Sequence, residues 1–78
     1  MSGKLFSERL NKELNAYGYP QEQDGRINAF SKVFKVSKYT SASILNGTIQ
    51  PGNTLLHKIS QELEVLSEWL TGESNTKN

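Results

Sequence analysis

Apolar residues recur along this chain at the three- and four-residue spacings of helices, and nowhere do they alternate with polar residues as in a strand. The first such face comprises Phe6, Leu10, Leu14 and Tyr17. It predicts a helix from about Lys4 to Tyr17. The Gly18-Tyr19-Pro20 segment ends this helix, because a residue before proline avoids the helical region. A polar connection over residues 21–25 follows, in which Asp24 is predicted to cap the next helix.

Two shorter helices follow in the middle of the chain. The second is predicted over Arg26 to Phe34. Its inward residues are predicted to be Ile27, Phe30, Val33 and Phe34. Ser37 is placed to cap a third helix that reaches Leu45 or Asn46. Asn46 and Gly47 end it, because both residue types tolerate the left-handed conformation found at helix ends.

The last third of the chain predicts two more helical segments. Pro51-Gly52 continues a turn, and Asn53 or Thr54 is placed to cap a fourth helix. Its apolar stripe comprises Leu55, Leu56, Ile59, Leu63 and Leu66. One further turn over 67–70 is closed by Gly72. The pattern therefore predicts an all-α domain of five short helices over residues 1–72. The polar residues 73–78 are predicted to form a disordered tail or the start of a linker.

Composition narrows the class of protein. A chain of 78 residues makes one small domain, and the absence of cysteine excludes disulfides, cysteine-ligated zinc and a thiol nucleophile. No apolar run approaches the roughly 20 residues that span a bilayer, so we expect a cytoplasmic protein without membrane contact. His57 is the only histidine and has no partner for metal binding. Glu62 and Glu64 diverge on a helix. We therefore expect no enzymatic activity, no cofactor and no small-molecule substrate.

The charge is unevenly distributed, although the net charge is only +1. Between residues 25 and 61 there is no acidic residue. The five basic residues of this stretch are Arg26, Lys32, Lys35, Lys38 and Lys58. Such a stretch is typical of a surface that meets a polyanion, although a solvated face is an equal alternative from charge alone.

The order of these elements resembles the helix-turn-helix domain of lambda-repressor-like DNA-binding proteins, and in particular phage repressors and their bacterial relatives. The residues that carry the resemblance are FSKVFKVSK (30–38), ILNG (44–47), Pro51, LLHKI (55–59) and EWLTG (68–72). The likeness covers residues 5–72. In that family the second helix crosses the DNA backbone and the third enters the major groove.

The chain departs from the family pattern at four positions. Ser31 replaces a small alanine between the two helices, with nearly the same shape. Lys35 replaces the turn glycine, so we expect it to adopt a left-handed or bridging conformation. Ser41 replaces a buried aliphatic residue and needs a backbone hydrogen-bond partner. Ile27 replaces a glutamine that often reaches a phosphate, so that contact is not carried over.

The resemblance implies which side chains face DNA. The inward residues of the third helix would be Thr40, Ser41, Ile44 and Leu45. Its base-facing residues would be Ser37, Lys38, Tyr39, Ala42 and Ser43. Phosphate contacts are expected from Arg26, Asn28, Lys32, Asn46, Thr48 and Gln50. Each has an ordinary alternative: Lys38 as a solvated charge, Tyr39 packed over the turn, Ser43 as a neutral surface residue, and Asn46 as a helix stop.

The last helix has two alternative roles. Trp69 and Leu70 either cap the core or, as the resemblance implies, contribute dimer contacts. We expect a sequence-specific binder of double-stranded DNA, of the phage or prophage repressor type, that acts as a homodimer on an operator. The alternatives are a helical protein-interaction module and an antitoxin with the same fold.

Overall fold

Five α-helices in succession form the part of the chain, residues 3–77, that the computed structural model describes. They are α1 (Lys4–Ala16), α2 (Gln23–Phe34), α3 (Lys38–Leu45), α4 (Asn53–Leu63) and α5 (Ser67–Thr71). The described residues include no strand, so the predicted all-α class is confirmed for them. Met1, Ser2 and Asn78, which the predicted domain and tail ranges include, lie outside the described residues.

Two helices begin earlier than their predicted caps. The helix α2 starts at Gln23, and its cap is Glu22, whose carboxylate accepts a hydrogen bond from the Gly25 amide at 3.2 Å. The prediction that Asp24 is the cap is wrong. It lies in the first turn, where a negative charge favours the helix dipole. Gly52 occupies the cap position of α4 without a side-chain hydrogen bond, so the prediction of Asn53 or Thr54 as the cap is also wrong.

All five helices contribute to one core. Its fully buried members include Phe6, Leu10 and Leu14 of α1, Phe30 of α2, Ile44 of α3, Ile59 and Leu63 of α4, and Leu70 of α5. The rings of Phe30 and Phe34 pack at 4.6 Å between centroids. Val33 and Leu66, which were predicted to face inward, are about half exposed. Leu66 leaves the stripe because α4 ends at Leu63 and Glu64 turns the chain in the left-handed conformation.

Tyr17 is also more exposed than its place in the first apolar face predicts. It lies just beyond the end of α1, and its hydroxyl bonds the Leu63 carbonyl at 3.0 Å and the Glu64 carboxylate at 3.1 Å. Desolvation and the hydrogen bond to Glu64 raise the pKa of Tyr17 above its ordinary value of 10.0. The protonated hydroxyl therefore joins the end of α1 to the end of α4.

Gly47 allows the turn after α3 to approach α1 closely. Its φ angle is +85°, and its carbonyl oxygen accepts a hydrogen bond from the Gly3 amide at 3.1 Å. A Cβ at this position would lie 2.9 Å from the Ser7 hydroxyl oxygen. Both the backbone angle and the space therefore favour glycine here. Asn46, the other predicted stop residue, keeps a right-handed conformation.

Arg26 ties α2 to α1 from a buried position, with only 8% of the residue exposed. Its Nε donates to the Pro20 carbonyl at 2.7 Å, and Nη1 donates to Asn11 Oδ1 at 2.9 Å. Nη2 donates to Asn15 Oδ1. These acceptors are all neutral. The guanidinium is satisfied by amide and carbonyl oxygens rather than by a carboxylate, and this hydrogen-bond network closes the connection between the two helices.

The polar tail forms no helix, but it folds back onto α1 and α5. The amide of Leu66 donates to the Lys77 carbonyl at 2.8 Å, and that of Ser74 donates to the Glu68 carbonyl at 3.1 Å. Lys77 Nζ lies 2.8 Å from a carboxylate oxygen of Glu13, whose side chain is 4% exposed. The prediction of a disordered tail is therefore wrong for residues 73–77. The buried carboxylate of Glu13 supplies the attraction that the sequence pattern did not reveal.

We expect Arg26→Met to lower the free energy of unfolding by about 2–4 kcal/mol, because it removes several charge-assisted hydrogen bonds and leaves buried acceptors without donors. Lys32→Met, at an exposed lysine of the same helix, is the control and should change it by less than about 0.5 kcal/mol. Urea unfolding followed by circular dichroism measures both. Equal stability of the two variants would contradict the structural role of Arg26.

Removal of the tail lysine tests the ion pair. Lys77→Met should lower the free energy of unfolding by about 1–2 kcal/mol, since it leaves the Glu13 carboxylate buried and unpaired while half of the lysine was already in solvent. Adding Glu13→Gln to Lys77→Met should recover part of that loss. Thermal and urea unfolding of both single variants and the double variant give the coupling free energy. Strict additivity would show that the two side chains do not interact.

Candidate nucleic-acid interface

The two central helices are joined by the three-residue turn 35–37. Lys35 takes the left-handed conformation, with φ 56° and ψ 47°, as its place in the turn predicts. The amides of Lys35 and Val36 both donate to the Ser31 carbonyl oxygen, which closes the end of α2. Ser37 then caps α3, because its hydroxyl oxygen accepts a hydrogen bond from the Thr40 amide at 3.0 Å. The predicted cap and turn geometry are confirmed.

One side of α3 packs against both α2 and α1. Ser41 and Ile44 are fully buried on this side, and Thr40 and Leu45 are partly buried. The Ser41 hydroxyl donates to the Ser37 carbonyl oxygen at 2.8 Å, so the predicted backbone partner of this serine is present. The inward face of α3 is therefore the predicted one.

Ser43 does not lie on the outer face, and its prediction as a base-facing residue is wrong. Only 8% of it is exposed. Its backbone carbonyl oxygen accepts hydrogen bonds from the amides of Thr48 at 2.9 Å and Ile49 at 3.3 Å, which tie the loop after α3 to the end of the helix. The helix packs against both α1 and α2, and more of its eight residues are buried than its own periodicity indicates.

Ala42 is partly buried and faces a groove between α1, α2 and α3 with a volume of about 290 Å³. The groove is lined by the apolar side chains of Ile27, Ala42 and Leu45. Its polar lining residues include Gln21, Gln23 and Asn46. The methyl group of Ala42 is therefore only partly presented outward.

The outer face of α3 is consequently concentrated at its N-terminal end. Ser37, Lys38 and Tyr39 are all exposed. Tyr39 is 82% exposed, so the alternative in which its ring packs over the turn is wrong. The Ser37 hydroxyl bonds Thr40 Oγ1 at 3.0 Å in addition to its capping role, which leaves Lys38 and Tyr39 as the two long side chains that project freely.

Most of the predicted phosphate-contacting residues are exposed: Asn28, Lys32, Asn46, Thr48 and Gln50. Asn46 also holds the loop, since its Oδ1 accepts hydrogen bonds from the Thr48 amide at 2.9 Å and from the Thr48 hydroxyl at 2.5 Å. Arg26 is the exception. Its guanidinium is buried against α1, so the prediction that it contacts phosphate is wrong.

Four of the five basic residues in the acid-free stretch remain at the surface: Lys32, Lys35, Lys38 and Lys58. Lys35 and Lys58 line the same shallow depression, with a volume of about 260 Å³, together with Val33, Gln61 and Glu62. This brings a cation of the turn, a cation of α4 and the Glu62 carboxylate into one depression, although Glu62 lies outside the acid-free stretch of the sequence. Neither lysine was among the predicted DNA contacts. The only sequence feature that pointed to them was the absence of acidic residues between residues 25 and 61.

Trp69 and Leu70 lie in the core rather than on an exposed surface. Leu70 is fully buried and Trp69 is 9% exposed. The Trp69 ring is covered by the Arg9 guanidinium, 4.9 Å from its centroid, and by the Lys77 ammonium at 5.6 Å. The core alternative is therefore confirmed, and the burial of both side chains leaves little of them exposed for the predicted dimer contacts.

Two other kinds of site are not found in the part of the chain that the structure describes. Within residues 3–77, no group of three or more histidine, cysteine, aspartate or glutamate side chains is arranged to hold a metal ion. None of the helices over that range is long and apolar enough to cross a membrane.

Comparison of the chain with protein-family models, with curated proteins and with solved structures finds no match.

Proposed function

We propose that this chain is a sequence-specific binder of double-stranded DNA, and that it acts as a transcriptional repressor of the phage type. The observation that carries the proposal is the exposed N-terminal end of α3, with Lys38 and Tyr39, held on α2 by a well-formed turn. An α-helix with its side chains is about 10–12 Å in diameter, and the major groove is about 12 Å wide, so the groove accepts one helix. One end of such a helix can approach the base edges.

Electrostatics supports a polyanionic partner. The exposed lysines of α2, the turn, α3 and α4 all come from the stretch without acidic residues. The carboxylates that balance them in the net charge lie on either side of this stretch in the sequence. Duplex DNA carries one phosphate charge per about 1.7 Å of axis, so exposed lysines can bind it without reading its sequence.

The structure changes which side chains carry the proposed contacts. Base contacts rest on Lys38 and Tyr39, with Ser37 and Ala42 beside them, because Ser43 is buried. The phosphate contacts are assigned to Asn28, Lys32, Asn46, Thr48 and Gln50, and Lys35 joins them from the turn. Arg26 supports this surface from inside the fold, since it fixes α2 on α1.

Two projecting side chains give little sequence discrimination, and this is the reason to propose a homodimer. A two-fold pair places two recognition helices one helical turn of DNA apart, about 34–36 Å, and doubles the number of base contacts. Because Trp69 and Leu70 are buried, the pairing surface of the proposed dimer lies elsewhere on the molecule.

Binding to duplex DNA should weaken steeply with salt. If Lys32 and Lys35 each neutralise one phosphate, the slope of log affinity against log salt should be near −1.8 for each bound subunit, at about −0.9 for each phosphate. Fluorescence anisotropy with a labelled duplex over a salt series measures the slope. Absence of binding at low salt, or an affinity that does not depend on salt, would favour the protein-interaction alternative.

Lys32→Ala and Lys38→Ala should have different effects. Lys32 lies on α2 and is assigned to phosphate, so its loss should weaken preferred and scrambled duplexes equally and make the salt slope shallower by about one. Lys38 is assigned to a base edge, so its loss should reduce discrimination at one base pair by about 1–3 kcal/mol.

These two variants are compared on a duplex first selected from random sequences by the unaltered protein. Lys12→Ala, at an exposed lysine of α1 outside the acid-free stretch, is the matched control, and melting curves exclude unfolding. A change of sequence preference in Lys32→Ala but not in Lys38→Ala would mean that α3 is not the reading helix.

A further inference from the structure

Tyr39 is the most exposed large apolar side chain among residues 3–77. Its exposed fraction of 82% compares with 47% for Tyr17, the next highest. Tyr17 uses its hydroxyl in two hydrogen bonds within the fold, whereas no hydrogen bond of the Tyr39 side chain is found there. The ring therefore contributes little to the packing of the described residues.

The neighbours of Tyr39 on α3 leave its ring uncovered. Residues three and four positions further along a helix lie on the same side, and here they are Ala42 and Ser43. Both are small, and Ser43 is buried, so neither rises beside the ring. Helical side chains lean toward the N-terminus, and this directs Tyr39 toward the exposed end of α3. The ring projects from a flat surface.

An exposed aromatic ring packs best on an apolar group of its partner, and this identifies the DNA group that Tyr39 would contact. The major-groove edges of the base pairs carry hydrogen-bond donors and acceptors and a single apolar group, the C5-methyl of thymine. A phosphate oxygen would use only the Tyr39 hydroxyl and would leave the apolar ring in solvent. The adjacent cation Lys38 and the nearby Lys35 already serve anionic or acceptor groups better than a neutral phenol does.

We propose that Tyr39 determines specificity by packing its ring on the methyl group of one thymine in each half-site. This inference rests on the proposed function and names the base that the site selects. Adjacent residues of a helix point about 100° apart, so Lys38 and Tyr39 contact different base pairs. The preferred half-site therefore contains a thymine whose methyl group faces Tyr39, apart from the base that Lys38 contacts.

The test replaces thymine by deoxyuridine, which removes only the methyl group. On a duplex selected by the unaltered protein, each thymine pair related by the two-fold axis is replaced in turn, and affinity is measured by fluorescence anisotropy. One replacement should weaken binding about fourfold for each half-site, the loss expected for one buried methyl group, and the other replacements should have little effect.

The variants separate the ring from the hydroxyl. Tyr39→Phe keeps the apolar ring and should keep the sensitivity to deoxyuridine. Tyr39→Ser should bind the thymine duplex more weakly than the unaltered protein does. This variant should bind the thymine and deoxyuridine duplexes with equal affinity. Leu66→Ser, at an exposed apolar residue outside the acid-free stretch, is the control and should behave like the unaltered protein. Because Tyr39 is exposed, melting temperatures should not change.

The possible results distinguish failure of the inference about Tyr39 from failure of the proposed function. Binding that no deoxyuridine replacement weakens would overturn the inference about Tyr39 and leave the proposed function intact. A loss of affinity in Tyr39→Phe equal to that in Tyr39→Ser, without deoxyuridine sensitivity, would also overturn it and would assign the hydroxyl to a phosphate. Failure to bind any duplex at low salt would instead remove the proposed function itself.

Discussion

An isolated helix of eight residues is not stable in water, and α3 therefore depends on the two longer helices that pack against it. Burial of Ile44 and Ser41 between α1 and α2 holds it in place, and the Ser37 cap and the Ser41 hydroxyl satisfy backbone groups of its first turn. The same packing decides which side chains remain outside. Because α3 packs against two helices and Ser43 is buried, the exposed long side chains of the helix, Lys38 and Tyr39, lie at its N-terminal end.

The position of α2 depends in turn on a buried cation. Arg26 belongs to the basic stretch, yet its guanidinium donates hydrogen bonds to oxygens of Pro20, Asn11 and Asn15 within the fold. It is therefore not free to bind an anionic partner. A planar group with five donors can join several oxygens on different segments at once, which a lysine ammonium does less well. The one arginine of the stretch is thus internal, and the lysines around it are external.

A second buried charge explains the path of the tail. The Glu13 carboxylate sits on α1 with almost no exposure, and Lys77 reaches it while also lying over the Trp69 ring. Arg9 covers the other part of the same ring and donates to the carbonyl oxygens of Trp69 and Ser74. These contacts cover the surface between α1 and α5 with a segment of the same chain, and they explain why Trp69 is not available to a partner in this arrangement.

The sequence by itself determined the five helices, the turn between α2 and α3, the left-handed Lys35, the cap at Ser37 and the backbone partner of Ser41. The helices and the Ser37 cap follow from local periodicity and capping signals. The expectations for Lys35 and Ser41 came from comparing these positions with the helix-turn-helix pattern that the sequence resembles. Only the tertiary structure decided the burial and the contacts of Arg26, Ser43, Trp69 and the tail. Each of these is positioned by residues distant in the sequence, such as Asn11 for Arg26 and Glu13 for Lys77. The local sequence pattern predicts which side chains lie on the outer face of a helix. Whether they are buried depends on the distant segments of the chain that pack against that face.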